Sequence, residues 1–297
     1  MSLVATLIAN PREPVLSPAL GDKAFSAVNA TALYWLADGI ACDIALNDGY
    51  SAAEAEADLR EALQAMPVDV VVQHAESRRK KMLLADMDST MICQECIDEL
   101  ADVAGIKAHV AAITARAMNG EIEFEPALRE RVALLKGLPV AVIDQVIESR
   151  ITLMPGGTEL VQTMRAHGAY TVLVSGGFTA FTARIAEMIG FDENRANSLL
   201  EENGLLSGKV AEPILGKQAK LDTLEETAAR LGLRPADAIV VGDGANDLAM
   251  IERAGSGVAL HAKPSVAAKA GMRVDHGDLT ALLYIQGYRR TDFRMKE

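Results

Sequence analysis

The sequence has few aromatic residues, few cysteines and no long uninterrupted apolar run. Aromatic residues make up 4% of the 297 positions, so core packing depends on aliphatic side chains. Three cysteines are too few for a disulfide framework, and the C-x-x-C pair Cys93 and Cys96 lacks a second pair for zinc, which favours a packing role. No stretch approaches the roughly 18 apolar residues of a membrane span, and MSLVATLIAN lacks the basic segment of a signal peptide. We therefore expect a cytoplasmic globular protein.

The chain also lacks an excess of positive charge. It contains 29 Lys and Arg against 41 Asp and Glu, which gives a formal net charge of -12. Such a chain has no general electrostatic attraction to nucleic acid or to anionic membranes, so neither is an expected partner. The sequence leaves a homodimer open, and a phosphate-bearing ligand would need a local positive site or a metal ion.

Residues 1–77 show the pattern of a small α+β unit. Strand and helix signals occur at 4–9, 20–31, twice within 32–46, and at 51–66 and 68–75. Asp38-Gly39 is a hairpin-turn dipeptide, and Ser51 with Glu54 forms a capping box at a helix start. The order β-α-β-β-α-β is typical of a ferredoxin-like sandwich.

Residues 78–297 alternate apolar strands with helices. The predicted strands are LLADMD at 83–88, TVLVSGG at 171–177, AIVVGDG at 238–244 and GVAL at 257–260. This alternation is typical of a parallel sheet covered on both faces. In such sheets ligands bind beyond the carboxyl ends of the strands, so the polar residues that follow each strand mark the candidate site.

A helical insertion separates the first two of these strands. Two of its segments carry apolar residues at helical spacing, namely Val110, Ile113 and Ala117, and then Leu128, Val132 and Leu135. This exceeds a single crossover helix, and we predict a small helical cap inserted over the site at about residues 95–152.

Two carboxylates, Asp86 and Asp88, leave the end of the first predicted strand. Residues i and i+2 lie on the same side of a strand, so both can enter one cavity, where a hard cation such as Mg²⁺ relieves their repulsion. Asp243 ends another strand and is a candidate third ligand, and Asp247 could join directly or through water. An isolated Asp-x-Asp is more often a turn or a helix cap, but its combination with other strand-end motifs favours a site.

The second strand ends in Ser175, Gly176 and Gly177, which suit an anion. A hydroxyl group and closely approaching backbone N–H groups at a helix start favour a negative ligand. Lys217 or Lys220 would hold a phosphate as a point charge. Taken alone, each lysine is better explained as a solvated surface residue.

The series DMDST, SGG, a lysine and GDGAND resembles the haloacid dehalogenase superfamily of phosphotransferases. DMDSTMICQECIDELA, MNGEIEFEPALRERVALLKGLP, VSGGF and GDGANDLAMIERAG are similar, in finer detail, to its phosphoserine-hydrolysing members. This resemblance covers roughly residues 82–290. It implies an α/β fold with a Rossmann-like core, a parallel sheet and an inserted helical cap. Residues 1–77 more weakly resemble ACT-like domains.

The resemblance also implies roles for the acidic residues. Asp86 would be the nucleophile that forms an aspartyl-phosphate, and Asp88 would act as acid and then as base. Mg²⁺ would be bound by Asp86, the backbone carbonyl of Asp88, and Asp243, with Asp247 in support.

The substrate-binding residues follow from the same resemblance. Those implied are Ser175, Gly176, Gly177 and Lys220 for the phosphoryl group, Asn246 for phosphate or for orienting Lys220, Glu95 for an amine, Arg131 for a carboxylate, and Met118 and Phe124 as apolar cap residues. Without the resemblance, Arg131 fits a surface charge pattern, and Met118 and Phe124 fit a helical core.

The implied activity is a Mg²⁺-dependent phosphatase for O-phospho-L-serine, the last step of serine synthesis. The alternatives are a phosphatase or phosphotransferase for another small phosphometabolite, and an amino-acid-binding sensor with an inert core. The intact set of Asp86, Asp88, Lys220 and Asp243 argues against the inert core.

Overall fold

An antiparallel sheet opens the chain in a computed structural model that describes residues 2–64, 66–118 and 121–296. Its elements are β1 (Leu3–Ala9), α1 (Pro18–Ala27), β2 (Ala30–Ala37), β3 (Ala41–Leu46), α2 (Ala52–Ala62) and β4 (Val68–His74). The strand order is β2-β3-β1-β4, and all three pairs are antiparallel. The predicted ferredoxin-like order is confirmed.

Local sequence signals explain where two of these elements begin and turn. The side chain of Ser51 accepts a hydrogen bond from the N–H of Glu54 at 3.2 Å, and Glu54 accepts one from the Ser51 N–H at 3.2 Å. This capping box satisfies N–H groups that would otherwise lack partners at the start of α2. Gly39 turns the β2–β3 hairpin with φ of 72°, a conformation that glycine adopts without steric cost.

Strands and helices alternate from residue 82 onward. In chain order they are β5 (Met82–Ala85), α3 (Cys96–Val103), α4 (Lys107–Met118), α5 (Phe124–Ala133), α6 (Ala141–Arg150), α7 (Gly157–Ala166), β6 (Tyr170–Phe178), α8 (Thr179–Ile189), β7 (Glu193–Asn197), β8 (Leu199–Glu202), β9 (Leu205–Val210), α9 (Lys217–Arg230), β10 (Ala238–Gly242), α10 (Leu248–Arg253), β11 (Ser256–Leu260), α11 (Pro264–Ala267), β12 (Met272–Val274) and α12 (Ala281–Ile285).

The second sheet is parallel and has the order β12-β11-β10-β5-β6-β7. Its central strands are buried on both faces. Leu83 and Ala85 belong to one apolar cluster, while Met82 and Leu84 belong to another on the opposite face. This confirms the predicted doubly covered α/β sheet. Strands β7 and β12 at its edges and the β8–β9 hairpin were not predicted.

Helices α3 to α6 form the cap between β5 and β6, and its two connections to the core meet. Ile92 and Leu153 form an isolated antiparallel bridge. Beside it, the Thr152 N–H donates to the side-chain oxygen of Gln94 at 2.9 Å. Inside the cap, Val110 and Leu128 are fully buried, as their helical spacing predicts. The two chain segments that connect the cap to the core are therefore bonded to each other, which holds the cap at one end of the parallel sheet.

The N-terminal sheet packs directly on the unit that contains the parallel sheet. Ile8 and Val71 belong to the same apolar cluster as Leu282 of α12. The Gln73 side chain donates to the carbonyl of Ile285 at 2.7 Å. Among the described residues, no helix combines the length and hydropathy needed to traverse a lipid bilayer.

Candidate active site

The polar residues at the carboxyl ends of β5, β6 and β10 line a single cavity of roughly 550 Å³. These three strands are neighbours in the sheet, so their ends meet at one edge. Phe124 and Arg131 of the cap line the opposite wall. The architecture therefore gathers the strand-end motifs and the cap around one space, as the sequence predicts.

Lys220 is a buried cation in contact with Asp86, one of the residues that line this cavity. Its ammonium group lies 2.7 Å from an oxygen of Asp86 and 2.6 Å from an oxygen of Asp247, and all three side chains are buried. Burial alone would lower the pKa of Lys220, but the two carboxylates raise it overall. Lys217, the alternative considered above, is exposed at the start of α9. The structure thus selects Lys220 as the buried cation.

Burial raises the pKa of Asp86 well above its usual range, although Lys220 acts in the opposite direction. The nearby charges of Asp247 and Asp88 reinforce the upward shift. The single positive charge of Lys220 therefore does not offset the combined effect of burial and of the neighbouring carboxylates on the pKa of Asp86. Additional positive charge, whether from a metal ion or from a ligand, would favour the ionised form.

Three carboxylates are arranged to share a metal ion. One oxygen from each of Asp86, Asp243 and Asp247 lies within 4.8 Å of the others. An oxygen-only donor set of this charge suits a hard divalent cation. Thr90 donates to Asp243 at 3.3 Å, and the Gly244 N–H donates to Asp247 at 3.0 Å. These bonds help to hold the carboxylates of Asp243 and Asp247 in place.

Asp88 has a different set of partners. One of its oxygens accepts the backbone N–H of Cys96 at 3.0 Å, and the other accepts the Ser175 hydroxyl at 3.3 Å. Burial raises the pKa of Asp88, while the Cys96 N–H bond opposes this shift. The side chain is thus turned toward the cavity and favoured in its protonated form relative to a free aspartate. Metal coordination through its backbone carbonyl stays a prediction.

There is little room for a side chain at position 177, two residues after Ser175. The Ser175 hydroxyl accepts the N–H of Gly177 at 2.8 Å. A Cβ on Gly177 would lie 3.0 Å from that hydroxyl oxygen and 3.1 Å from a carboxylate oxygen of Asp88. The absence of a side chain keeps the backbone close to the carboxylate, which is what an anion-binding turn needs.

Glu95 and Arg131 place opposite charges on the cap side of the cavity. Glu95 as a whole residue is exposed, but protein atoms surround its carboxylate, which accepts the Ser89 hydroxyl at 2.8 Å. Burial, with the negative charge of Asp88, raises the pKa of Glu95 to about 7. Arg131 is half-buried and donates from Nε to the carbonyl of Ala127 at 3.3 Å. Its place on the cavity wall fits the predicted role better than a surface charge pattern does, and its binding of a carboxylate stays a prediction.

A family model for haloacid dehalogenase-like hydrolases matches residues 83–252. The chain belongs to this family.

Relatives of this haloacid dehalogenase-like hydrolase include proteins named as phosphoserine phosphatases. A phosphoserine phosphatase of Polaromonas sp. is 48% identical over 208 residues, which are 68% of this chain and 88% of the relative. The solved structure of a probable phosphoserine phosphatase from Vibrio cholerae is 32% identical, with a TM-score of 0.78 over 98% of this chain and 88% of that one. A solved family hydrolase from Salmonella enterica has a TM-score of 0.84 at 29% identity, over 96% and 98% of the two chains.

Three more of the predicted substrate-binding residues can be placed in the structure, and the side chain of Met118 cannot. Phe124, Gly176 and Asn246 line the cavity. The side chain of Met118 lies outside the described part of the structure, so its predicted contact stays a prediction. Cys93 is exposed while Cys96 is buried, so the packing interpretation of the cysteines was wrong for Cys93.

Sequence reasoning missed one wall of the cavity. Lys263 lines it from the loop that follows β11, and Ser265 and Val266 line it from α11. His261 begins this loop with φ of 44°, and its ring Nε2 lies 2.8 Å from the carbonyl of Gly277. In the sequence, the one signal for this wall was that His261 follows the predicted strand at 257–260. From the sequence, no role was predicted for the residues that come after His261.

Proposed function

We propose that this chain hydrolyses O-phospho-L-serine to L-serine and phosphate, the last step of L-serine biosynthesis. One observation carries the proposal: Asp86 and Asp88 open into a cavity whose opposite wall carries Glu95 and Arg131. The first pair suits phosphoryl transfer, and the second suits the ammonium and carboxylate groups of an amino acid. The phosphoserine phosphatases among the relatives support the same substrate.

Mg²⁺ is the cation we propose for the carboxylate cluster. Asp86, Asp243 and Asp247 would bind it, together with the backbone carbonyl of Asp88. When bound, Mg²⁺ would neutralise negative charge on the phosphoryl oxygens and on the cluster. The raised pKa values of Asp86 and Asp243, which arise mainly from burial, fit a site that is completed by a cation.

The residues of the chain then divide the reaction into two displacements. An oxygen of Asp86 attacks phosphorus, the bond to the serine oxygen breaks, and Asp88 donates a proton to that leaving oxygen. Water next attacks phosphorus while Asp88 accepts its proton, which releases phosphate and restores Asp86. The Ser175 hydroxyl, the N–H groups of the glycine turn and Lys220 would hold the phosphoryl oxygens in both steps.

We propose that the chain has three parts, of which two take part in the reaction. We propose an ACT-like unit at residues 1–77 and a catalytic unit at 78–297, into which the cap is inserted at about 95–152. The cap contributes Glu95, Phe124 and Arg131, which would select and enclose the substrate. The core contributes the phosphoryl and metal ligands.

The decisive experiment replaces the proposed nucleophile. In Asp86→Asn we expect phosphate release from phosphoserine with added Mg²⁺ to fall by more than about 1,000-fold, since the amide is a poor nucleophile. The matched control is Asp222→Asn on the exposed face of α9, which should retain the wild-type rate. A folded Asp86→Asn protein with an undiminished rate would exclude the assignment.

A substrate panel then tests the specificity that we propose. Phosphoserine, phosphothreonine and sugar phosphates should be compared by kcat/KM with the wild-type protein. Preference for a sugar phosphate would keep the chemistry but overturn the substrate.

A further inference from the structure

Asn197 is a buried polar residue at the end of the edge strand β7, and it lies outside every predicted motif. Its side chain is 2% exposed. The amide NH₂ donates to the carbonyl of Gly176 at 2.9 Å and to that of Leu215 at 3.1 Å. The amide oxygen accepts the Leu215 N–H at 2.7 Å.

These bonds fix both the identity and the orientation of the side chain. Two carbonyl groups require donors and one N–H requires an acceptor, and a single carboxamide supplies both. A carboxylate in the same place would face two carbonyl oxygens without a proton to donate. Aspartate is therefore a poor substitute, although it has the same shape.

The two segments that Asn197 joins each contribute to the phosphoryl site. Gly176 belongs to the turn that follows Ser175 and lines the cavity. Leu215 directly precedes Gly216, the N-cap of α9. One turn into α9, Lys220 reaches Asp86 at 2.7 Å. The carboxamide thus links the anion-binding turn to the helix that carries the buried cation.

The cap contacts the same two segments. A Cβ on Gly176 would lie 3.3 Å from the Phe124 ring, and one on Gly216 would lie 3.5 Å from it. The Phe124 ring therefore rests on the surface that Gly176 and Gly216 form together. If their spacing changed, both the phosphoryl ligands and the contact surface for the cap would change.

We propose that Asn197 is a positioning residue for the phosphoryl group, which acts by fixing the spacing between the Gly176 turn and the Lys220 helix. This inference rests on the proposed phosphatase function, but it concerns the phosphoryl group and not the amino acid attached to it. Losing the bonds should thus weaken every phosphate ligand alike. Metal binding should persist even if the contacts of Lys220 with Asp86 and Asp247 weaken. Asp86 and Asp243 directly follow the strands β5 and β10, and the Gly244 N–H also holds Asp247, at 3.0 Å.

The test compares Asn197→Ala with Asn194→Ala. Asn194 lies on the same strand and accepts the Thr182 hydroxyl at 2.9 Å, so its loss controls for a missing hydrogen bond in β7. In Asn197→Ala, we expect kcat/KM for phosphoserine and for p-nitrophenyl phosphate to fall by about 10- to 100-fold, as for a small displacement of reacting groups. Inorganic phosphate should inhibit about tenfold less strongly. Asn194→Ala should stay within about twofold of wild type in both measurements.

Mg²⁺ binding, measured by calorimetry on the folded proteins, separates positioning from a general structural role. We expect Asn197→Ala to bind Mg²⁺ as wild type does. Unchanged inhibition by phosphate would overturn the proposal, and so would a parallel loss of Mg²⁺ and phosphate affinity. If the alanine variant does not fold, Asn197→Ser replaces it in the same comparison, because its hydroxyl keeps one hydrogen-bonding group.

The outcome for Asn197 can be distinguished from the outcome for the proposed substrate. If wild type ignores phosphoserine but hydrolyses p-nitrophenyl phosphate, the substrate proposal fails, and inhibition by inorganic phosphate still decides the role of Asn197.

Discussion

Burial raises the pKa of four carboxyl groups that line the cavity, those of Asp86, Asp88, Glu95 and Asp243. The partners of Asp86 and Asp88 differ. Asp86 lies 2.7 Å from Lys220, and a bound cation would add a second positive charge, so its ionised form is favoured in the loaded site. Asp88 accepts hydrogen bonds from the Cys96 N–H and from the Ser175 hydroxyl, and burial raises its pKa. These different partners fit the roles that we propose, attack on phosphorus for Asp86 and proton transfer for Asp88.

Glu95 leads to a prediction about pH. Burial and the charge of Asp88 raise its pKa to about 7, so its carboxylate gains a proton as the pH falls through that value. A protonated Glu95 cannot pair with the substrate ammonium group. We expect kcat/KM for phosphoserine to fall between about pH 8 and pH 6, with a midpoint near the pKa of Glu95.

Two controls isolate Glu95 from the other titrating groups. Glu95→Gln has no proton to gain at this position and should lose the transition. p-Nitrophenyl phosphate has a phosphate but no amine, so kcat/KM of the wild-type protein for this substrate should also show no such transition. An identical pH profile for Glu95→Gln and wild type on phosphoserine would contradict the prediction.

The residues that could be predicted from the sequence are those with a spacing signal. Asp86 and Asp88 follow an apolar run, and Ser175 precedes two glycines, so their chemistry and their strand-end positions were visible together. Asn197 had no such signal, because its role depends on contacts with Gly176 and Leu215 that are distant in the sequence. Lys263 was missed for the same reason, since only the fold brings its loop to the cavity.

The helix α5 shows how one element separates two similar side chains. Arg131 lines the cavity, whereas Arg129 is exposed and pairs with Glu212 at 2.7 Å. We expect Arg131→Ala to lower kcat/KM for phosphoserine about 10- to 100-fold, since hydrogen bonds to charged groups contribute roughly 1.5–3 kcal/mol. Kinetics on p-nitrophenyl phosphate, which lacks the carboxylate, should show a smaller loss.

Arg129→Ala is the matched control for this prediction. An exposed ion pair contributes about 0–1 kcal/mol, so this variant should stay close to wild type on both substrates. Equal losses on both substrates in Arg131→Ala would remove it from carboxylate recognition.

Element prediction succeeded for strands with continuous apolar sequence and failed at the edges of the sheet. β5 and β10 are buried on both faces and read as apolar runs. β7 has the sequence ENRAN and is largely half-buried, because an edge strand is only partly covered. β12 has three residues, too few for a periodic signal. In the cap helices, by contrast, the residues predicted to share an apolar face are buried, for example Val110 and Ile113 in α4 and Leu128 and Val132 in α5.

At the scale of the whole molecule, β4 connects two cores. Val70 faces the interior of the N-terminal unit, while the adjacent Val71 belongs to the apolar cluster shared with α7 and α12. Asp69, next to them, accepts the backbone N–H groups of Asp275 and Gly277 at 2.8 Å each. The N-terminal sheet is therefore bonded to the loop at Asp275–Gly277. The Gly277 carbonyl in turn contacts His261, which precedes the residues of one cavity wall.

This shared packing predicts that both units unfold in a single transition. The one tryptophan, Trp35, lies in β2, so its fluorescence reports the N-terminal sheet, while far-UV circular dichroism reports the whole chain. We expect both signals to share one urea midpoint. Val70→Ala and Val71→Ala, each of which removes about 2 kcal/mol of packing, should lower the two midpoints together. If Val70→Ala shifted only the Trp35 transition, the sheet would be an independent unit and its bonds to the cavity wall would carry little coupling.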